Sequence, residues 1–200
     1  MASIYDLKPR FQNLLRPVVA TLARKGVSAN QITIFATLLS FLCGGLIALL
    51  PQITWVLLII PFVLFVRMAL NAIDGMLARE YDMKTPLGAI LNELGDVFSD
   101  VALYLPLALV TGISETWVVL VVILSIVSEM TGVIAVQIGA ERRYDGPMGK
   151  SDRAFVFGAI ALVLGLGFSP DPWAEYLLIA MFVLLCLTIF NRAKKALAEQ

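Results

Sequence analysis

The stretch Asn71 to Asp100 reads NAIDGMLAREYDMKTPLGAILNELGDVFSD and sets Asp74, Glu93, Asp96 and Asp100 in or beside apolar sequence. Ionisable groups inside a membrane are costly, and where they occur they mark function by default. Asn71 and Asp74 are three apart and share a helix face. Asn92, Asp96 and Asp100 follow at intervals of four and share a face of the next helix. Two antiparallel helices would aim these carboxylate and carboxamide oxygens at one point. Such a donor set suits a hard cation such as Mg2+ or Mn2+. Gly75 and Gly88 leave room for a ligand, or a neighbouring helix, to approach the backbone. Spacing alone leaves a metal site, an ion pathway and a packing role open.

Outward from this stretch the chain is apolar. Hydrophobic residues make up 60% of the 200 residues and charged ones 15%. Average soluble chains hold roughly 25% charged residues. With a mean hydropathy of +0.88, the chain reads as a polytopic membrane domain. The net charge of zero gives no global field toward nucleic acid, so no such partner is expected. The absence of His removes the usual general base and the commonest zinc ligand. Cys43 and Cys186 sit in apolar runs and are expected as small buried hydrophobes. With a polar N-terminus that lacks an early apolar core, no cleavable signal peptide is expected.

The expected fold is an all-α integral membrane protein of six transmembrane helices preceded by an N-terminal amphipathic interfacial helix. The spans are placed at 31–50, 53–78, 87–110, 117–140, 153–168 and 173–191. Residues 1–28 form the amphipathic juxtamembrane segment, and 29–200 the six-helix domain that holds the site. Within the first segment, Phe11, Leu14, Leu15, Val18, Val19 and Leu22 recur at helical spacing. Lys8, Arg10, Arg16, Arg24 and Lys25 supply charges for anionic headgroups. Pro17 is expected to kink or divide this helix, and Gly26 and Ser28 to mark a break and a new cap.

Charge orients the bundle. With the N-terminus inside, 14 of the 15 Lys and Arg residues fall on the cytoplasmic side, and the remaining one, Arg67, lies within a span. That asymmetry puts both termini in the cytoplasm. Asp74 then lies roughly 7 Å inside Arg79, and Asp96 roughly 12 Å inside Gly88. The site would be a shallow cavity open to the cytoplasm.

The same stretch resembles the signature of the CDP-alcohol phosphotransferases, D-x2-D-G-x2-A-R-x8-G-x3-D-x3-D. Asp74-Gly75, Ala78-Arg79, Gly88 and Asp96 fit it with the spacing intact. Asn71 and Asn92 stand where the pattern has its first and third aspartates. Ser28-Ala29-Asn30-Gln31-Ile32-Thr33 is similar to the P-N-x-I-T entry to the first span of relatives, and Gly149-Lys150-Ser151-Asp152-Arg153 to their G-K-x-K-T element.

The resemblance implies a divalent-metal-dependent CDP-alcohol phosphatidyltransferase of phospholipid biosynthesis, with Mg2+ or Mn2+ as the cation. It implies a CDP-activated lipid, CDP-diacylglycerol, as donor, a small alcohol or alcohol phosphate as acceptor, and CMP as leaving product. By position, Asn71, Asp74, Asn92 and Asp96 are the metal set, Glu93 and Asp100 are the carboxylates able to compensate for the two amides, and Asp96 is the base. Asp74, Gly75, Ala78, Arg79 and Gly88 would bind the CDP-lipid. Lys150 and Arg153, with Arg142 and Arg143 beside them, would bind an acceptor phosphate such as that of glycerol 3-phosphate or inositol phosphate. A bacterial inner-membrane location and a homodimer also follow from the resemblance. Two rival readings stand beside it: a non-catalytic CDP-lipid-binding homologue, favoured by the two amides, and a membrane transporter with a buried acidic site. Arg67 is expected to pair with Glu93, Asp100 or Glu129, or to meet substrate phosphate.

Overall fold

The computed structural model describes residues 4–199, with side chains from Arg10 to Glu199, so Lys8 lies outside the described side chains. Every regular element among these residues is helical. The helices are α1 (Ile4–Arg24), α2 (Ala29–Leu49), α3 (Ile59–Glu80), α4 (Pro86–Tyr104), α5 (Glu115–Gln137), α6 (Lys150–Gly165) and α7 (Trp173–Ala198). A 3-10 turn, Thr54–Leu58, leads into α3, and another, Leu105–Leu109, follows α4.

Several boundaries have a local cause. α1 runs through Pro17 undivided, so of the two expected effects the division does not occur. It ends where Gly26 takes φ +74, with Gly26 N–H donating to the Ala23 carbonyl and Val27 N–H to the Leu22 carbonyl. That paired arrangement is the usual glycine stop of a helix. α2 then starts on a reciprocal cap: Ser28 N–H donates to Gln31 Oε1 (2.9 Å), and Gln31 N–H to Ser28 Oγ (3.3 Å). At α4, Thr85 Oγ1 accepts from Gly88 N–H (2.9 Å) and Pro86 opens the helix. The α-helical part of α4 stops at Tyr104 rather than near residue 110, because Pro106 lacks the N–H that would continue it.

Among the described residues, four helices are long and apolar enough to cross a membrane: Ala29–Leu49, Thr54–Glu80, Glu115–Gln137 and Trp173–Ala198. α4 is 19 residues long but holds Glu93, Asp96 and Asp100. α6 has 16 residues, roughly 24 Å of helix at 1.5 Å per residue, against a hydrocarbon core of about 30 Å.

The chain divides into two compact units, Met1–Ser40 with Val63–Ser99, and Phe41–Phe62 with Asp100–Gln200. In the first, Val19, Ala29, Ile32, Ile73, Met76 and Leu77 form a core, with Leu15, Leu22 and Leu70 packed on it. α1 therefore turns part of its apolar face to protein, while Leu14 and Val18 remain exposed. α4 comes close to α2 at Gly88, where an added Cβ would lie 2.6 Å from Asn30 Oδ1.

In the second unit, Tyr104 stacks on Phe157 with ring centroids 4.1 Å apart. The buried residues of α7 are Ala174, Leu178, Met181, Leu185, Thr188, Arg192 and Ala196, a single stripe at helical spacing. Cys186 lies off that stripe and is exposed, which corrects the expectation of burial; Cys43 is buried.

Candidate active site

In the first unit, α3 carries Arg67, Asn71 and Asp74, one face at intervals of four and three. Asp74 is buried and its Oδ2 accepts a hydrogen bond from Thr33 Oγ1 at 2.7 Å. Thr33 belongs to the first turns of α2, which the Ser28–Gln31 cap fixes in place. Asp96 on α4 is half-buried, and its Oδ1 accepts from Asn71 Nδ2 at 3.3 Å. The same oxygen lies 3.7 Å from Nη2 of Arg67, whose side chain is buried. Asp96 is thus an acid that Arg67 meets here, in addition to those the sequence reading proposed for it.

Asn71 and Asp96 are brought together as the signature spacing requires. Asn92 is exposed on α4, and Glu93 half-buried beside it. Arg79 is exposed at the end of α3, with its guanidinium folded over Gly75: an added Cβ there would lie 3.1 Å from Nη2. Ala78 is half-buried, next to the core at Leu77. Gly88 is set closely against Asn30 and Thr85.

The donors of this unit fit a hard cation in type, since Asp74, Asp96, Asn71 and Asn92 all offer oxygen. They fit it less well in charge. Among the described residues, no three His, Cys, Asp or Glu side chains are grouped to hold a metal ion. Two carboxylates would have to be completed by carboxamide carbonyls, and Asn71 now turns its amide nitrogen to Asp96.

In the second unit the basic loop after α5 is tied down on several sides. Arg143 N–H donates to the Gly132 carbonyl (3.1 Å), and Met148 N–H to Thr188 Oγ1 (3.0 Å). Asp145 bridges Arg143 (2.8 Å) and Lys195 (2.6 Å). The Lys195 hydrogen bond, opposed by partial burial and aided by Arg143, holds the Asp145 carboxyl below its ordinary range. Asp152, a departure from the G-K-x-K-T element, accepts from Gly149 N–H at 2.9 Å and caps α6.

Arg153, the other departure, turns inward and is 1% exposed. Its Nη2 lies 3.1 Å from Asp100 Oδ2 and 3.0 Å from Glu129 Oε1. Glu129 also meets Arg142 Nη2 at 3.1 Å and Arg192 Nη1 at 3.4 Å. Arg142 further stacks over the Tyr144 ring, 4.2 Å from its centroid. Lys150 is half-buried at the start of α6.

Sequence reading missed Thr33 and Arg192 as site residues. Thr33 had a signal, the threonine of the entry element. Arg192 had none beyond the general excess of positive charge at one membrane face.

Residues 26–190 match the model of the family described as CDP-alcohol phosphatidyltransferase. The chain is 45% identical over 195 residues to the inner membrane protein YnbA of Escherichia coli (strain K12), covering 98% of this chain and 96% of that one. It is 40% identical over 95 residues to an uncharacterised protein of Aquifex aeolicus (strain VF5), spanning 47% of this chain and 45% of that protein. The fold is similar to Mycobacterium tuberculosis phosphatidylinositol phosphate synthase (PgsA1) with CDP-DAG bound, at a TM-score of 0.70, 22% identity and 89% coverage of each chain. It is also similar to the same synthase in complex with manganese and citrate, at a TM-score of 0.73 and 23% identity, covering 90% of this chain and 87% of that one. The four long apolar helices, together with a relative named as an inner membrane protein, support an integral membrane protein. With its signature spacing intact and its family model matched over most of its length, this chain belongs to the CDP-alcohol phosphatidyltransferase family.

Proposed function

We propose that the protein transfers a phosphatidyl group from a CDP-activated lipid, CDP-diacylglycerol, to the hydroxyl of a small polar alcohol, in the bacterial inner membrane. The observation that supports it best is the first unit's arrangement of Asp74 on Thr33 and Asp96 on Asn71 within the signature spacing. PgsA1, which shares the fold, has been crystallised with CDP-DAG and with manganese.

The acceptor oxygen attacks the β-phosphorus, a P–O bond forms, and the bond to CMP breaks. Asp96 takes the hydroxyl proton. Arg67 Nη2, 3.7 Å from Asp96 Oδ1, helps to hold that carboxylate in position for the attack. Thr33 fixes the orientation of Asp74. Asn71, Asp74, Asn92 and Asp96 are the residues that would hold a divalent cation, Mg2+ or Mn2+, with Glu93 as an additional carboxylate on α4. When bound, such a cation neutralises diphosphate charge and polarises the phosphoryl group. Asp100, the other candidate on α4, is engaged by Arg153. Gly75, Ala78, Arg79 and Gly88 are assigned to the CDP-lipid, the guanidinium of Arg79 meeting its phosphates.

The remaining proposal concerns placement. Six helices, α2 to α7, cross the membrane, with both termini and the site at the cytoplasmic side, and residues 29–200 form the catalytic domain. α1 lies in the interface, its exposed Leu14 and Val18 toward lipid and Arg10, Arg16, Arg24 and Lys25 toward headgroups. A homodimer is part of the same reading. The sequence favours a phosphorylated acceptor held by Lys150, Arg153, Arg142 and Arg143. The geometry favours it less, since Arg153 and Arg142 already hold Glu129.

The test is CMP release by the purified protein with CDP-diacylglycerol, Mg2+ or Mn2+, and a panel of alcohols and alcohol phosphates. Asp96→Asn is expected to lower it by roughly 100- to 10,000-fold, the usual span for a general base. CDP-lipid binding without release for any acceptor would point to the non-catalytic homologue. Failure to bind the CDP-lipid at all would refute the proposal.

A further inference from the structure

We propose that Glu129 is a resident anion that fills the arginine cluster of the second unit, and that it makes this enzyme select an acceptor alcohol carrying no phosphate. The inference rests on the transferase reading above and on the assignment of the basic loop to the acceptor.

Three guanidinium groups meet two carboxylates in this cluster. Arg142, Arg153 and Arg192 all approach Glu129, and Arg153 also approaches Asp100. Further donors of the cluster are directed at protein oxygens, while the buried Arg153 Nε has no hydrogen-bond partner among the described residues. Arg153 Nη1 points to Ser128 Oγ (3.4 Å), Arg192 Nε to the Asp145 carbonyl (3.1 Å), and Arg142 Nη1 to the Arg143 carbonyl (3.3 Å). Arg192 Nη1 donates to the Ser128 carbonyl. Arg153 and Arg192 are each 1% exposed, and Glu129 is 8% exposed.

A carboxylate and a phosphate compete for the same guanidinium fork, because both present paired anionic oxygens. Here the chain supplies that group itself. An alcohol phosphate could reach Arg153 and Arg192 only by displacing Glu129 from both, and the displaced carboxylate would then face the incoming dianion in a poorly screened interior. A neutral hydroxylated acceptor meets no such conflict. The cluster thus discriminates against charge on the acceptor, by an opposing group built into the site.

The claim is tested on the full-length protein in neutral detergent by two independent readouts. The first is CMP release with matched pairs, glycerol against glycerol 3-phosphate and inositol against inositol phosphate. The second is the thermal midpoint with increasing inorganic phosphate, at constant ionic strength. Wild type should use the parent alcohol at least about tenfold better than its phosphate, because like charges set against each other suppress the wrong partner. Its midpoint should not rise saturably with phosphate. Glu129→Gln, which removes the charge, and Glu129→Ala, which also vacates the space, should shift the preference toward the phosphorylated partner and gain a saturable phosphate-dependent rise. A Glu129 with only a structural role would lower the midpoint in both variants without moving either preference.

Wild-type preference for the alcohol phosphate, or saturable stabilisation of wild type by phosphate, would overturn the inference; both need no variant that folds. If no acceptor releases CMP, the transferase reading fails, and the phosphate titrations still decide whether Glu129 closes the cluster to anions.

Discussion

Replacing Arg153 by Met should destabilise the protein more than any exposed charge change. Arg153 is 1% exposed and bridges Asp100 and Glu129 at 3.1 and 3.0 Å. Met keeps much of the stem's volume and can adapt its packing. The loss therefore falls on the charges. Glu129 keeps Arg142 and Arg192 beside it, and both acids stay buried, Asp100 at 5% and Glu129 at 8% exposure. Breaking a buried pair from one side costs about 3–5 kcal/mol. The two arginines left on Glu129 put this case near the lower end, about 3 kcal/mol. At roughly 2–4 °C per kcal/mol for a chain of this size, the midpoint should fall by roughly 6–12 °C. Thermal unfolding in one detergent, followed by tryptophan fluorescence and far-ultraviolet circular dichroism together, reads the shift and checks that the two probes coincide. Arg153→Met combined with Asp100→Asn removes one of the two buried acids that Arg153 bridges and should recover about half of the loss. A single-variant loss below about 1 kcal/mol, the range of an exposed pair, would refute the reasoning. So would strict additivity of the two substitutions, since residues in one ion-pair network should couple.

Thr33→Val is close to isosteric and removes the donor to Asp74; CMP release should fall by roughly 10- to 100-fold, the worth of a hydrogen bond to a charged group. Unchanged turnover would remove Thr33 from the site. Asn71→Asp together with Asn92→Asp adds two negative charges to the oxygen set. Divalent-cation binding, followed by the thermal midpoint against Mn2+ concentration, should tighten, and an unchanged concentration dependence would count against these positions as ligands. The Asp145 carboxyl, held low chiefly by Lys195, gives stability that is present above the ordinary aspartate value of about pH 3.9 and is lost as pH falls through its lower folded value. Asp145→Asn should therefore flatten the acid side of the midpoint-against-pH curve below about pH 4. A curve superimposable on that of wild type would show that the loop contacts of Asp145 do not contribute.

The sequence by itself determined what depends on composition, period and short-range spacing. Apolar runs and their interruptions located the helices, and Gly26, Ser28 and Gln31 located the break between α1 and α2, because caps are made by residues a few positions apart. The interval from Asn71 to Asp96 placed these two on facing helices, and their side chains do meet, 25 positions apart. Pro17 did not divide α1, whose Leu15, Val19 and Leu22 pack on the core on either side of it.

Partner choice among charges was decided only by tertiary structure. Arg67 had several acids within reach by helical spacing and lies against Asp96. Arg153 reads as a loop cation beside Lys150, yet it is buried against Asp100 and Glu129, which are 53 and 24 positions away. Arg192, at the far end of the chain, completes the same cluster. A long side chain reaches several angstroms in a direction fixed by its helix's rotation, and periodicity cannot say which distant helix stands there. The same cause hid the role of Glu129: a lone acid in an apolar helix advertises its cost, but only the arginines folded around it show what it neutralises.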